Sequence, residues 1–182
     1  PYWGGAGMLL RADILSKSVT KYRSSGKLSK IILTSASGKP YNQADAKRLS
    51  KLNHLIIVCG HYEGVDQRFI EKYADEEISI GDYVLTGGEI PAMVIADSVV
   101  RLIPGVLKKP EATVNESFST LHPTSSFQLL EGTQYTRPEE FEGKKVPQVL
   151  LSGNHKGIEK WRKEKSLEKT KKVRPDLLRD KR

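Results

Sequence analysis

The chain has 182 residues, which is enough for one compact domain, or one domain with an appendage, and too few for a large multidomain assembly. With 37% hydrophobic and 29% charged residues, its composition is that of a soluble globular protein that can form a core. No stretch approaches the roughly 18 apolar residues of a membrane span, and the first residues do not resemble a signal peptide. We therefore expect a cytoplasmic protein without a membrane partner, in which the single cysteine, Cys59, is buried and unreactive.

The formal net charge of +8 is concentrated near the C-terminus. Residues 144–182 hold 14 Lys and Arg residues against 5 Asp and Glu residues, whereas residues 60–100 hold 9 acidic and only 2 basic residues. A basic end on a nearly neutral body is typical of a protein that binds a polyanion such as a nucleic acid. A solvated charged helix would have the same composition, so charge alone leaves both interpretations open.

Hydrophobic periodicity predicts alternating helices and strands in the first half of the chain. A short helix with an apolar face covers 12–22, and a buried strand at 30–35 ends before the turn residues 37–40. A second helix is capped by Asn42, with four apolar residues inward (Ala44, Ala46, Leu49 and Leu52), and a second buried strand covers 54–59. Because both strands are continuously apolar, we predict an α/β fold with a mostly parallel sheet and helices on both faces.

The pattern continues through a helix containing Phe69 and a short strand around 78–80. The clearest predicted helix is Glu89–Ile103, with Pro91 in its first turn. Its apolar residues are too numerous for an exposed element: Met93, Ile95, Ala96, Val99, Val100 and Leu102.

Beyond residue 106 the sequence loses its periodicity, and Ser, Thr and Pro dominate as far as residue 128. A long segment of this kind predicts a linker. The interpretation gives three parts: an α/β domain at 1–107, a flexible linker at 108–130, and a small basic helical domain at 131–182, with Trp161 in its main helix.

Three glycine-containing segments follow the predicted strands, at 34–38, 60–66 and 80–88. In open parallel sheets, ligands bind beyond the carboxyl ends of the strands, and glycine lets a ligand approach the backbone closely. No segment has the spacing of a phosphate loop or of a dinucleotide-binding turn. The four histidines are scattered and no nucleophile elbow is present, so we expect neither a metal site nor covalent catalysis.

Long motifs throughout the chain resemble one family. They are Pro1–Met8, Val58–Asp66, Ser79–Glu89, Arg101–Leu107, Tyr135–Pro138 and Val149–His155. Together they resemble the bacterial tRNA (guanine-N1)-methyltransferases of the TrmD type, in the SPOUT superfamily. The resemblance covers essentially the whole chain, in order, and implies that a segment preceding Pro1 is missing.

The resemblance implies an α/β fold with a deep trefoil knot, and a homodimer with active sites at the subunit interface. The implied reaction moves a methyl group from S-adenosylmethionine to N1 of the guanine immediately 3′ of the anticodon in tRNA. The positions implied to bind the cofactor are Leu33, Thr34, Gly60, Tyr62, Gly64, Ser79, Ile80, Gly81, Asp82, Tyr83, Val84, Leu85, Gly87 and Gly88.

Two further positions are implied to be catalytic. Arg101 matches an arginine that stabilises charge on the guanine oxygen, and Glu116 matches the general base, where the family usually has aspartate. Two other functions remain open, namely a SPOUT methyltransferase acting on another RNA nucleotide and a non-catalytic RNA-binding protein. Binding of S-adenosylmethionine would exclude the second.

Overall fold

A computed structural model of the chain describes residues 2, 7–23, 28–109, 113–114, 116–120 and 127–179. It divides into two compact units, Pro1–Lys108 and Lys109–Arg182, each described separately below. The helices of the first unit are α1 (Ala12–Tyr22), α2 (Gln43–Leu49), α3 (Gln67–Tyr73) and α4 (Glu89–Val100), and its strands are β1 (Ser29–Pro40), β2 (His54–Cys59) and β3 (Glu76–Ser79).

The first unit is built on a three-stranded parallel sheet in the order β2-β1-β3. The chain adds β2 on one side of β1 and then returns to add β3 on the other side, so the direction of sheet growth reverses at β1. A reversal of this kind opens a crevice beyond the carboxyl ends of the strands. The parallel α/β sheet predicted from the continuous apolar runs is therefore confirmed.

Helices cover both faces of this sheet, as predicted. Alternate residues of β1 point to opposite faces: Ile32 packs with α2 and α4, whereas Ile31 and Leu33 pack with α1 and α3. Phe69 of α3 and Ile95 of α4 are fully buried, one in each core. The two cores fix the sheet between four helices, and its carboxyl ends remain available for loops.

Strand β1 is longer than predicted because it contains a bulge. Its pairing with β3 shifts between Thr34 and Lys39, so that residues 35–38 leave the ladder before the strand resumes. At Gly38 a Cβ atom would lie 2.5 Å from the backbone nitrogen of Ile78, which only glycine avoids. The predicted end of the strand at 35 is therefore wrong: the turn-forming residues belong to a bulge and not to a terminus.

Two predictions for the helices are also wrong in detail. Ala44 is exposed, and Asp45 is buried in its place because its carboxylate accepts a hydrogen bond from the backbone N–H of Asn42 in a capping box. Helix α4 ends at Val100, before the expected Ile103, and Met93 and Val100 are exposed although they were expected to be buried. The apolar composition of α4 therefore reflects burial within this chain only in part: Ile95 and Val99 are buried, whereas other apolar residues of the helix are exposed.

The second unit contains two small antiparallel ladders and a long helix. The ladders pair β4 (Ser119–Thr120) with β5 (Gln128–Leu129) and β6 (Glu140–Phe141) with β7 (Lys144–Lys145). Helices α5 (Gln148–Leu151) and α6 (His155–Val173) follow, and a 3-10 helix covers Pro175–Leu178.

Hydrogen bonds attach α6 to the chain that precedes it. The Ser166 hydroxyl donates to the carbonyl oxygen of Leu130, whose own N–H donates to the Thr170 hydroxyl at 2.9 Å. Leu129 and Leu177 are buried in the same unit. The helix predicted around Trp161 is confirmed, whereas the boundaries 1–107, 108–130 and 131–182 remain predictions. Among the described residues, no helix is both long and apolar enough to cross a membrane.

Candidate functional site

A cavity of about 530 Å³ lies at the carboxyl ends of the three strands, within the size range of small-molecule sites. Its walls come from the β1 bulge, the segment after β2 and the segment after β3. The described lining residues are Leu33, Thr34, Ser35, Ala36, Ser37, Gly60, His61, Tyr62, Glu63, Gly64, Val65, Gln67, Ile70, Glu77, Ile78, Ser79, Ile80, Gly81, Tyr83, Val84, Leu85, Thr86, Gly87, Gly88 and Pro91.

Hydrogen bonds fix the three walls to one another. After β3 the chain crosses to the end of β2, where the Gly88 N–H donates to the carbonyl oxygen of Gly60 at 2.7 Å. The buried Thr34 hydroxyl, just before the bulge of β1, lies 3.2 Å from the carbonyl oxygen of Val58 and 3.3 Å from that of Gly88. These contacts make the cavity wall part of the folded core.

Gly88 is required where these walls meet. A Cβ atom there would lie 2.5 Å from the backbone nitrogen of Gly60 and 2.7 Å from Cα of Cys59, and it would also overlap the Thr34 hydroxyl. Because two of these neighbours are backbone atoms, no side-chain movement would relieve the overlap. The glycine thus allows the close approach that brings the β2 and β3 segments together.

The segment after β2 has a conformation that few residues adopt. Tyr62 has a φ of 59° and Gly64 a φ of 119°, so the chain turns sharply around Glu63. At its end, the Asp66 carboxylate accepts hydrogen bonds from the side chain and the backbone N–H of Arg68, which lower the pKa of that carboxyl to about 2. The charged carboxylate caps α3 and holds the end of the segment in place.

Of the fourteen predicted cofactor-binding residues, thirteen line this one cavity. The exception is Asp82, which is exposed and outside the described lining. Grouping these residues in one cavity does not test their role, which remains a prediction.

Other residues of the wall were not predicted as site residues. Ser35, Ser37, His61 and Glu63 fall within the three glycine-containing segments that the strand-end argument identified. Glu77 does not, because it belongs to β3 itself, and only the pairing of β3 with β1 shows that it reaches the cavity.

The two predicted catalytic residues lie in different units. Arg101 directly follows α4 and caps its C-terminus, where its backbone N–H donates to the carbonyl oxygen of Asp97 at 3.2 Å. Glu116 precedes β4, and its carbonyl oxygen accepts a hydrogen bond from Ser119 N–H at 3.1 Å. Both residues are half-buried, and their catalytic roles remain predictions.

Cys59, at the end of β2, is half-buried and not fully buried as expected. Burial, followed by the negative charge of Glu89, raises the pKa of its thiol, so the reactive thiolate is disfavoured. In the part of the chain that the structure describes, no three His, Cys, Asp or Glu residues are grouped to hold a metal ion.

Comparison with known proteins identifies close relatives. The family model described as tRNA (Guanine-1)-methyltransferase TrmD matches residues 1–180. A tRNA (guanine-N(1)-)-methyltransferase of Dictyoglomus turgidum is 52% identical over 178 residues, covering 98% of this chain and 69% of the relative. Proteins of the same name from Clostridium beijerinckii and Bacillus subtilis are 51% and 50% identical, and the chain covers 71% and 72% of them.

Proposed function

The chain belongs to the tRNA (guanine-1)-methyltransferase family, and from that membership we propose that it methylates N1 of the guanine immediately 3′ of the anticodon in tRNA. The methyl donor in this proposal is S-adenosylmethionine, and the site of action is the cytoplasm, where tRNA is modified. The observation that carries the proposal is the cavity at the switch point of the sheet, which collects thirteen of the residues implied to bind the donor.

The cavity has the chemistry that this donor requires. S-adenosylmethionine combines a nucleoside, a sulfonium centre and an amino acid, and the described walls present glycine backbone, three serine hydroxyls and two carboxylates. Backbone groups of the glycine-containing segments would hold the donor, because glycine lets a ligand approach the backbone closely. When bound, the donor supplies an electrophilic methyl group.

The chain's own residues would activate the acceptor. N1 of neutral guanine carries a proton and is a poor nucleophile, so a general base must remove that proton. Glu116 supplies a carboxylate for this step. As the proton leaves, negative charge spreads to the guanine oxygen, and the guanidinium of Arg101 would stabilise it with directed hydrogen bonds.

We further propose that two copies of the chain form the active enzyme. Helix α4 exposes a group of large apolar side chains, including Ile90 at 58% and Met93 at 70% exposure, together with Val94 and Val100. An apolar face of this kind on a helix beside the cavity is typical of an interface. A homodimer would cover it and would let one site use residues of both chains. A deep trefoil knot in the first unit, as in SPOUT proteins, is part of the same proposal.

The basic helix α6 would contact the tRNA backbone. It carries eight Lys or Arg residues and three Glu residues. The three glutamates pair with Lys160, Lys163 and Lys165. The other five basic residues of the helix form no ion pair within 4.0 Å in the described part of the chain, and all five are exposed, which leaves them available to phosphates.

Methyl transfer to matched transcripts tests the proposed function. The protein is incubated with labelled S-adenosylmethionine and a tRNA transcript carrying guanine, or adenine as the control, immediately 3′ of the anticodon. We expect label in the guanine transcript alone, because adenine lacks the oxygen that Arg101 would bind and carries an amino group in its place. Equal labelling of both transcripts would overturn the proposed position, and no labelling of either would overturn the activity.

A further inference from the structure

The charged residues of the cavity are of one sign. Glu63 and Glu77 line it, and neither lysine nor arginine is found among its described lining residues. No ion pair neutralises either carboxylate within the described part of the chain. A phosphate-bearing nucleotide would be repelled there, whereas a ligand with positive charge would be attracted.

Two adjacent glutamates of β3, Glu76 and Glu77, differ in whether a cationic side chain pairs with them. The Glu76 carboxylate accepts hydrogen bonds from both terminal nitrogens of Arg48, at 2.7 and 2.6 Å, and from Lys30. Glu77, the next residue, points to the other face of the sheet and accepts one hydrogen bond, from the neutral hydroxyl of Ser37 at 3.1 Å. Glu76 is therefore paired with two cationic side chains, whereas Glu77, beside the cavity, has no cationic partner among the described residues.

The β1 bulge holds Glu77 in this position. The Ser35 and Ser37 hydroxyl oxygens lie 2.9 Å apart, and the Ser37 N–H donates to the Ser35 hydroxyl oxygen at 3.2 Å. Gly38 packs directly on the backbone of β3. The Ser37 hydroxyl fixes the direction of the Glu77 carboxylate and leaves its charge unpaired, whereas a lysine at the same place would neutralise that charge.

We propose that Glu77 makes the cavity select the cationic methyl donor over the neutral product of the reaction. This inference rests on the proposed function. S-adenosylmethionine and S-adenosylhomocysteine share their nucleoside, ammonium and carboxylate groups and differ in the sulfonium. When the methyl leaves, the electron pair of its bond stays on sulfur and the positive charge disappears. A fixed negative charge thus binds the donor more tightly than the product and favours product release.

Calorimetry with both ligands tests this proposal. Glu77→Gln keeps the shape and the hydrogen bond to Ser37 but removes the charge. We expect S-adenosylmethionine to bind about tenfold more weakly and S-adenosylhomocysteine to change by less than about twofold, because the sulfonium is the charge by which the two ligands differ.

Two variants serve as controls. Ser37→Ala keeps the charge of Glu77 but removes the hydrogen bond that directs it, so the donor-to-product affinity ratio should fall less than in Glu77→Gln. Asp13→Asn removes one charge from an exposed site on α1, where Asp13 pairs with Arg11, and should leave both affinities unchanged. The wild-type protein offers a further check that needs no folded variant: an analogue with an amine in place of the sulfonium should bind more tightly than S-adenosylhomocysteine.

The possible results separate the role of Glu77 from the proposed function. If Glu77→Gln weakened the binding of both ligands equally, Glu77 would contact the groups that they share, and charge selection would be overturned. Charge selection would also be overturned if Glu77→Gln weakened neither ligand, or if the amine analogue bound no more tightly than S-adenosylhomocysteine. If the wild-type protein bound neither ligand, the proposed function itself would fail. Donor binding with an unchanged affinity ratio in Glu77→Gln would overturn only the present inference.

Discussion

A carboxylate at position 116 is the residue on which the proposed chemistry depends most. If Glu116 removes the guanine proton, Glu116→Gln keeps the size and hydrogen-bonding capacity of the side chain but should lower the rate of methyl transfer by roughly 10²–10⁴-fold, the usual contribution of a general base. Binding of tRNA and donor should change little. Single-turnover transfer with saturating tRNA and donor measures the chemical step separately from binding.

Glu116→Asp is the matched control, because it keeps the charge and shortens the side chain by one methylene. A rate well above that of Glu116→Gln would assign the effect to the carboxylate. Transfer at the wild-type rate by Glu116→Gln across the accessible pH range would remove Glu116 from the mechanism.

Arg101→Lys should also slow methyl transfer in the same single-turnover assay, since an ammonium keeps the charge but lacks the planar fork of the guanidinium.

At the scale of single residues, the sequence predicted which residue types line the cavity better than it predicted where each side chain lies. The glycines of the cavity followed from the need for close backbone approach, and Gly88 shows that need directly through its contacts with Gly60 and Cys59. Asp82 lies within a segment that lines the cavity but is itself exposed, because a loop directs neighbouring side chains differently. Glu77 was missed since its approach to the cavity depends on strand pairing, which no local pattern records.

At the scale of elements, an ion-pair network joins β1, α2 and β3 at Glu76. Burial raises the pKa of Glu76, but hydrogen bonds from Arg48 and Lys30 outweigh it, and the net effect lowers the pKa of that carboxyl. Because the pKa is lowered, the network stabilises the fold fully at pH values above the pKa of an unfolded glutamate, about 4.3. This stabilisation is lost as the pH falls through the pKa of Glu76 in the folded protein.

Glu76→Gln should therefore lower the free energy of unfolding by about 1–2 kcal/mol at pH 7 and flatten its decline as the pH falls below about 4.3, the pKa of an unfolded glutamate. Urea unfolding measured at several pH values tests this. Glu71→Gln, on the exposed side of α3, is the control and should leave the curve unchanged. A Glu76→Gln variant with the wild-type pH dependence would show that the network contributes nothing to stability.

Helix α6 gives the second prediction at this scale. Lys169 and Lys171 are exposed and have no acidic partner in the described part of the chain, so neutralising both with glutamine should weaken tRNA binding. The dependence of log K on log salt concentration should flatten by about one to two units, because fewer counterions are released. Point substitutions are preferable to removal of the helix, since Thr170 is buried in the second unit.

Lys163→Gln combined with Lys165→Gln is the matched control within the same helix. Both lysines already pair with glutamates, Glu159 and Glu168, so their loss should change the salt dependence less. Should the two double variants give the same salt dependence as the wild type, the helix would be a solvated charged surface and not a tRNA contact.

Most elements could be predicted because apolar periodicity records burial. Strand β2 and helix α3 lie where their patterns placed them. The bulge in β1 could not be predicted, since serine and glycine after an apolar run signal a turn as readily as a bulge. The exposed face of α4 was misassigned for a related reason: periodicity distinguishes apolar from polar positions but does not state whether the same chain or a partner covers them.

At the scale of the whole molecule, the proposed homodimer leads to a quantitative prediction. If one site takes Arg101 from one chain and Glu116 from its partner, Arg101→Ala and Glu116→Ala chains are each inactive alone. After mixing and reassociation, about half of the dimers contain one chain of each kind, and each of these restores one of its two sites, which gives about a quarter of wild-type activity.

Activity should return only after conditions that let the chains exchange, and each variant incubated with itself is the control. An exchanged mixture as inactive as its parents would contradict a shared site. A fully active monomer by sedimentation would contradict the dimer itself.

The identity of the methylated atom tests the central claim most directly. tRNA incubated with the protein and S-adenosylmethionine is digested with nuclease, and the fragments are sequenced by mass spectrometry. The account predicts one added methyl group, on the guanine immediately 3′ of the anticodon and at N1, where it blocks Watson–Crick pairing. Methylation of another nucleotide or of another guanine atom, or an unmodified tRNA in the presence of bound donor, would contradict it.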